Sequence, residues 1–518
     1  MNALMERVFG KFDRAVFYPT VILFALVFLV IIVAPDAFKG ALGAITQGLI
    51  FNVPWLFLWG GAIIFGFCIW VAFSQYGSIK LGGEDEEPAY DFVSWVAMMF
   101  SAGLGLTALL WACAEPLYHL FQSSHTIDAG TAGKPQGIPM ATMLTVWDWG
   151  LHCWAFFTIG ALAIALPAYR KDKPMTLSIG LYGLLGEKTE TSIWGKLTNI
   201  LGVIATLGGN SVSIGLGLSC LTYGMSRVFG LEVTMGLKVG VLILLITGFT
   251  LSAVSGIRKG IKILSNFNIY LSFAFLLFLI VFGETKFLIN LFTQVTGQYL
   301  DHFLTLTLWT DAANFVTKED GSIVWEQRSW LNWWEIFYWL WWISYIPFCS
   351  GFIARISRGR TIKEFVTGSI LAPTMVVLLI VSFWGGTSAF LQTTGADVEL
   401  WDIARNNFGD VIYSVLENFP MSGLAIFMMF LSLTIYGITT SDSAAYFLAM
   451  QTSGGDKDPK LPMRVLWGCL LGGIGLALLL MDKMKILQSM AIVCGAPFFF
   501  VAIAYMISIY KMLKNRMV

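Results

Sequence analysis

The sequence predicts an all-α membrane protein with twelve transmembrane helices. Hydrophobic residues fill 57% of its 518 positions and charged residues only 12%, with a mean hydropathy of +0.74, far from an ordinary soluble domain. Apolar stretches of about 18 residues or more recur along the whole length, and in lipid such stretches satisfy their backbone as helices. Basic residues cluster in alternate connections, as the positive-inside rule requires. Zero net charge gives no footprint for a nucleic-acid partner.

In order, the spans read as 16–34, 53–74, 92–121, 140–168, 195–226, 236–254, 263–283, 333–356, 365–391, 421–450, 463–481 and 487–511. The first is too long for a signal-peptide core and no small-residue cleavage site ends it, so it reads as a retained helix. Loops holding Arg170 to Lys173, Arg258 to Lys262, Arg355 to Lys363 and Lys457 to Arg464 fall on the same side as both termini. That side carries about 22 of the 32 Lys and Arg, which makes both termini cytoplasmic. The longest loops, about 284–332 and 392–420, then lie outside. Thr285 to Thr305 reads as an amphipathic surface helix with Phe287, Leu291 and Phe292 on its apolar side.

Four stretches carry chemistry. Ser101 to Thr107 in the third span pairs glycines at mid-membrane, which suits either unwound backbone lining a cavity or close helix packing. A similar run in the fifth span, Gly208 to Gly217, reads as packing. Thr439-Thr440-Ser441-Asp442-Ser443 puts five oxygen-bearing side chains into one membrane helix, a costly choice unless they face a cavity or an ion. The fourth stretch is Tyr338-Trp339-Leu340-Trp341-Trp342-Ile343-Ser344-Tyr345. At about 100° per residue Tyr338, Trp341, Trp342 and Tyr345 share a side, and Trp339 lies about 60° beyond Trp342. Such rings either mark the membrane interface or hold a quaternary ammonium, which has no hydrogen to donate and is met by cation–π contact. Trp147, Trp149, Trp154, Phe156 and Phe157 form a second aromatic group in the fourth span.

Glu115, before Pro116, and Asp148 are intramembrane ionisables that helix-end solvation could also explain. The seven cysteines are scattered in apolar segments and read as small buried hydrophobes. No His, Cys and carboxylate spacing suggests a metal, no Ser/His/Asp set suggests hydrolysis, and no Gly-rich loop ends in Lys-Ser/Thr. An enzyme is therefore not expected, nor a cofactor. His152 reads as a packed residue.

Phe337 to Trp342, Ala354-Arg355-Ile356-Ser357-Arg358-Gly359-Arg360-Thr361, Gly103-Leu104-Gly105, Glu115-Pro116 and Trp149 to Trp154, in this order, resemble the betaine/carnitine/choline transporter (BCCT) family over nearly the whole chain. The resemblance implies a LeuT-type fold with two inverted repeats of five helices. It divides the chain into residues 1–90 (two N-terminal helices), 91–285 (first repeat), 286–332 (surface helix and outer loop) and 333–518 (second repeat). It also implies a homotrimer in a bacterial inner membrane.

By position, the resemblance assigns Trp149, Trp154, Phe157 and Trp342 to an aromatic substrate box, with Phe157 where the glycine betaine carrier has Tyr. Tyr118 corresponds to a substrate-contacting Tyr of the carnitine exchanger, and Trp341 and Tyr345 to aromatics of the inward path. Sodium would be held by backbone near Ala102, Gly103, Leu104 and Gly105 with the hydroxyls of Thr439 and Thr440. A second site would use Thr206 and Asn210. Three departures stand out. The exchanger has Arg at the position of Asn268, which substitutes for sodium. The family usually has Trp-Thr where this chain has Trp334-Glu335, and proton-coupled choline members carry Asp at the position of Thr107.

The expected function is import of a quaternary-ammonium compound, glycine betaine or carnitine, by sodium symport through alternating access. The alternatives are a sodium-independent carnitine-like exchanger and a choline uptake carrier with Asp148 or Glu115 as counter-charge.

Overall fold

The computed structural model describes residues 2–101, 105–254, 258–312, 315–325, 329–395, 399–481 and 484–515. It is almost entirely helical. The main helices are α1 (Arg14–Val33), α2 (Pro35–Asn52), α3 (Pro54–Phe73), α4 (Phe92–Ser101), α5 (Gly105–Gln122), α6 (Ile138–Trp149), α7 (Leu151–Arg170) and α8 (Ile193–Phe229). They continue with α9 (Met235–Val254), α10 (Arg258–Phe282), α11 (Thr285–Thr307), α12 (Phe337–Ile356), α13 (Ile362–Ile380), α14 (Ser422–Thr452), α15 (Leu461–Leu480) and α16 (Met484–Lys514). Between α11 and α12, β1 (Phe315–Thr317) and β2 (Ile323–Trp325) form an antiparallel hairpin with Val316 opposite Val324.

Among the described residues, each of the twelve expected segments falls mostly on helix. Among the described residues nine helical segments are long and apolar enough to cross a membrane, making the chain a multi-pass membrane protein. A tenth is the bent pair Phe267–Phe282 and Thr285–Thr307, at 117° to each other, if it counts as one span. The bend lays α11 across the bundle. It buries Leu288, Leu291, Val295 and Tyr299, a stripe at spacings of three and four, while Ile289 and Leu300 stay exposed. Phe287 and Phe292 lie only at the edge of that stripe.

α8 is the central post, packed against α12, α14, α15 and α16. It starts where the Ser192 hydroxyl accepts from the Gly195 N–H at 3.0 Å and ends at Gly230 in the left-handed region. The expected packing role of its glycines holds: a Cβ on Gly209 would come within 2.2 Å of the Ser344 hydroxyl, and one on Gly208 within 2.3 Å of Cys494. These contacts let α12 and α16 close on α8. α1, by contrast, leaves Ile22, Leu26, Leu29, Ile32 and Val33 exposed, as a lipid-facing helix does. Six of the seven cysteines are buried as expected; Cys469 is exposed.

Three departures from regular helix were not located from sequence. The fourth expected span is two helices, broken at Gly150. A π-type turn, Asn332–Ile336, leads into α12, and a second, Val381–Gly385, follows α13. π turns replace regular bonding where a neighbour must be accommodated. The second one lies on α5, where a Cβ on Gly385 would meet the Pro116 ring at 2.6 Å.

Candidate functional site

The break at Gly150 positions the aromatic residues of α6 and α7. Tyr299 from α11 places its hydroxyl in the gap and accepts from the Leu151 N–H at 2.9 Å. A Cβ on Gly150 would sit 2.4 Å from that hydroxyl and 2.6 Å from the Val146 carbonyl, so only glycine fits. Trp149 closes one helix and Trp154 and Phe157 occupy the first two turns of the next. Trp149 and Phe157 turn toward α12, and Trp154 lies behind Phe157.

There they meet Trp342. Its ring lies 4.7 Å from Trp149 and 6.1 Å from Phe157, in both cases edge to face, and Phe157 in turn is 5.6 Å from Trp154. Trp341 stacks on Trp342 at 5.0 Å, and Tyr345 closes on both at 6.1 and 6.3 Å. All six rings are at most 2% exposed. The helical-wheel reading of α12 holds: Tyr338, Trp341, Trp342 and Tyr345 share this side. Trp339 faces the other way, against Trp147, His152 and Phe156. His152 is packed among rings, as expected, with Phe303 stacked at 5.2 Å. The six rings form one continuous chain of contacts, with Trp154 joining the others through Phe157.

Polar tethers hold the two central indoles. Trp342 Nε1 donates to the Asp148 main-chain carbonyl at 2.7 Å. Trp149 Nε1 donates to Glu115 Oε2 at 3.0 Å and faces the Tyr338 hydroxyl at 3.1 Å, while Tyr338 donates to the same carboxylate oxygen. Tyr345 bonds to the Ser213 hydroxyl of α8, and Trp341 Nε1 points at the Gly209 carbonyl. Tyr118 stands apart from these rings. Its hydroxyl donates to Ala404 O at 2.8 Å, its ring packs on Trp334 and Trp401, and it lines a separate cavity of about 140 Å³ beside Tyr223 and Arg405.

Of the expected ion ligands, Ala102, Gly103 and Leu104 lie outside the described residues, and Gly105 begins α5. Thr440 has a buried hydroxyl oxygen with no hydrogen-bond partner and lines a cavity of about 20 Å³ with Thr107, Ser213 and Ser441. That is room for one water-sized occupant. Thr439 instead bonds back to Ile435 O and Tyr436 O at 3.0 and 3.1 Å. On α8, Thr206 Oγ1 and Asn210 Oδ1 are likewise buried without partners. Unsatisfied buried oxygens are costly, and neutral oxygen donors fit a hard monovalent cation. Asp442 pairs with Arg464 at 2.6 Å. Asn268 exchanges hydrogen bonds with Ser432 of α14 at 3.0 and 2.6 Å.

One constellation escaped the sequence reading, which found no His and carboxylate spacing of interest. The fold brings Glu115, His119 and Asp148 together, with one donor atom of each inside 4.8 Å of the others. Glu115 and His119 are four apart on one helix face, the only local signal. Asp148 arrives from α6, which no spacing rule reports.

The betaine/carnitine/choline transporter family model matches residues 15–518. Glycine betaine transporter OpuD of Bacillus subtilis is 34% identical over 506 residues, 98% of this chain and 95% of that protein. Betaine/ectoine transporter LcoP of Corynebacterium glutamicum is 31% identical, covering 97% of this chain and 78% of that one. Osmo-dependent choline transporter BetT2 of Acinetobacter baylyi is 29% identical, covering 97% and 72%. With a family match across nearly its whole length and an aromatic cluster built from two helical regions, this chain belongs to the betaine/carnitine/choline transporter family, a family of transporters and not of enzymes.

Proposed function

We propose that this chain imports a betaine-type quaternary-ammonium compound together with sodium, by alternating access between two inverted repeats, residues 91–285 and 333–518. The observation that carries the reading is the convergence of Trp149 and Phe157, with Trp154 behind Phe157, on Trp342, all buried and far apart in sequence. A quaternary ammonium offers no N–H, so ring faces are its natural partner. Each contact contributes about 0.5–2 kcal/mol, and three or four offset dehydration of a large, weakly hydrated cation. The relatives named for betaine favour glycine betaine. Carnitine and choline are the other candidates, and the relative named for choline keeps the latter in the test.

Thr440, Thr206 and Asn210 support sodium, since their unpartnered buried oxygens are neutral donors of the kind it takes. Sodium bound there would supply a positive charge that couples the ion gradient to closure. Asn268 brings no charge to replace it, and its amide is satisfied by hydrogen bonds to Ser432. We further propose a homotrimer in a bacterial inner membrane with both termini cytoplasmic. Purified protein in proteoliposomes should accumulate labelled glycine betaine only under an inward sodium gradient. Equal uptake in potassium buffer, or uptake only against preloaded substrate, would show a sodium-independent exchanger instead.

A further inference from the structure

Glu115 and His119 on α5 and Asp148 at the end of α6 are 0%, 0% and 2% exposed. Among the described residues, no lysine or arginine pairs with any of them. The segment leading into α12 adds Glu335, also buried and within electrostatic reach of Asp148. α12 itself adds the Tyr338 hydroxyl, which donates to Glu115. His125, from the short helix Ser124–Asp128, packs on Trp330 at 5.3 Å. Two carboxylates whose oxygens lie within 4.8 Å of each other repel, and burial penalises each charge further.

Hydrogen-bond directions locate the missing proton. Trp330 Nε1 donates to His119 Nδ1 at 3.2 Å, so the neutral imidazole carries its hydrogen on Nε2. That N–H faces Glu115 Oε1 at 3.2 Å and Asp148 Oδ2 at 3.4 Å. A metal ion would need the Nε2 lone pair, which this arrangement does not offer. Glu115 therefore faces three donors, from Tyr338, Trp149 and His119, the surroundings of an ionised acceptor. Asp148 Oδ2 is buried and, despite its approach to His119, makes no aligned hydrogen bond.

We propose that Glu115, His119 and Asp148 hold one proton behind the aromatic box, carried by Asp148, and release it when a quaternary ammonium binds. The inference rests on the box reading above. Glu115 accepts the Trp149 N–H, so its charge makes that indole face more negative. A cation against the ring favours the state in which both carboxylates are ionised. Binding thus sends the Asp148 proton to solvent, and by reciprocity a proton on the pair weakens binding. No other bond is made or broken.

Infrared difference spectra of the protein in bilayers, stepped from alkaline to mildly acidic pH, should show a buried protonated-carboxyl band. Asp148→Asn should remove it and Glu115→Gln should shift it; a band unaltered in both variants would overturn the proton site. Loss of the band on adding sodium without ligand would overturn it too, in favour of a cation at the same place. Calorimetry with glycine betaine at fixed sodium, in buffers of different ionisation enthalpy, should report about one proton released, and affinity should fall about tenfold per pH unit on the acid side of the transition. In Asp148→Asn the buffer dependence should vanish while binding persists. His119→Gln, which keeps a donor in place, should retain release with a displaced midpoint. Buffer-independent heats in the wild type would overturn the coupling. A protein showing the band but no heat with glycine betaine, carnitine or choline supports the proton site and rejects the transport reading.

Discussion

Trp149 does two jobs with one side chain: its ring meets Trp342 edge to face and its N–H is held by Glu115. Two substitutions separate them. Trp149→Leu keeps apolar bulk but removes the ring face, so betaine affinity should fall by about 0.5–2 kcal/mol or more. Trp149→Phe keeps a face and deletes only the donor to Glu115, so its loss should be smaller. Calorimetric titration with glycine betaine reads both, and wild-type affinity in the Leu variant would remove Trp149 from the box. Tyr118 is a contrasting case at the same scale. Its ring neighbours here are Trp334 and Trp401, so Tyr118→Phe should leave affinity near wild type while removing the hydrogen bond to Ala404.

At the scale of elements, the site depends on a helix that stops for one residue. Gly150→Ala places a methyl against Tyr299 and the Val146 carbonyl, and overpacking of this kind costs about 1–3 kcal/mol. Thermal melts of the purified variant should show the loss. Adding Tyr299→Phe, which removes the nearer oxygen, should restore part of it; no recovery would mean that the backbone carbonyl, not α11, sets the constraint. The break was hidden because hydropathy does not change across Gly150, and a lone glycine in an apolar run reads equally well as packing. Both π turns were hidden for a related reason: no change in hydropathy marks either of them. What was legible was periodic: the ring-bearing side of α12, the packing glycines of α8, and the apolar stripe of α11 to within a residue. The meeting of Trp342 with Trp149 was legible only through family resemblance, since it joins residues almost two hundred positions apart. The convergence of Asp148 with Glu115 and His119 was not legible at all.

For the whole molecule the decisive question is what drives transport. Thr440 offers an unsatisfied oxygen to a small cavity, whereas the Thr439 hydroxyl is already bonded within its own helix. Thr440→Val should therefore raise the sodium concentration for half-maximal uptake by roughly tenfold, equivalent to about 1.4 kcal/mol, and Thr439→Val should do much less. Sodium titrations of betaine uptake in proteoliposomes give both numbers. Equal effects of the two variants would mean that Thr439 abandons its helix bond during the cycle.

The anchor of Trp342 is a main-chain carbonyl, and a carbonyl is the one acceptor that no codon change can delete. Residue 148 can therefore exchange Asp for Asn, or for another side chain the space admits, while the indole it holds keeps its place. For Trp342 the charge behind the ring and the position of the ring are inherited separately, whereas Trp149 is held by the Glu115 carboxylate itself. A descendant of this chain could be retuned toward a differently charged substrate by drift at position 148, without first passing through a form in which Trp342 has come loose.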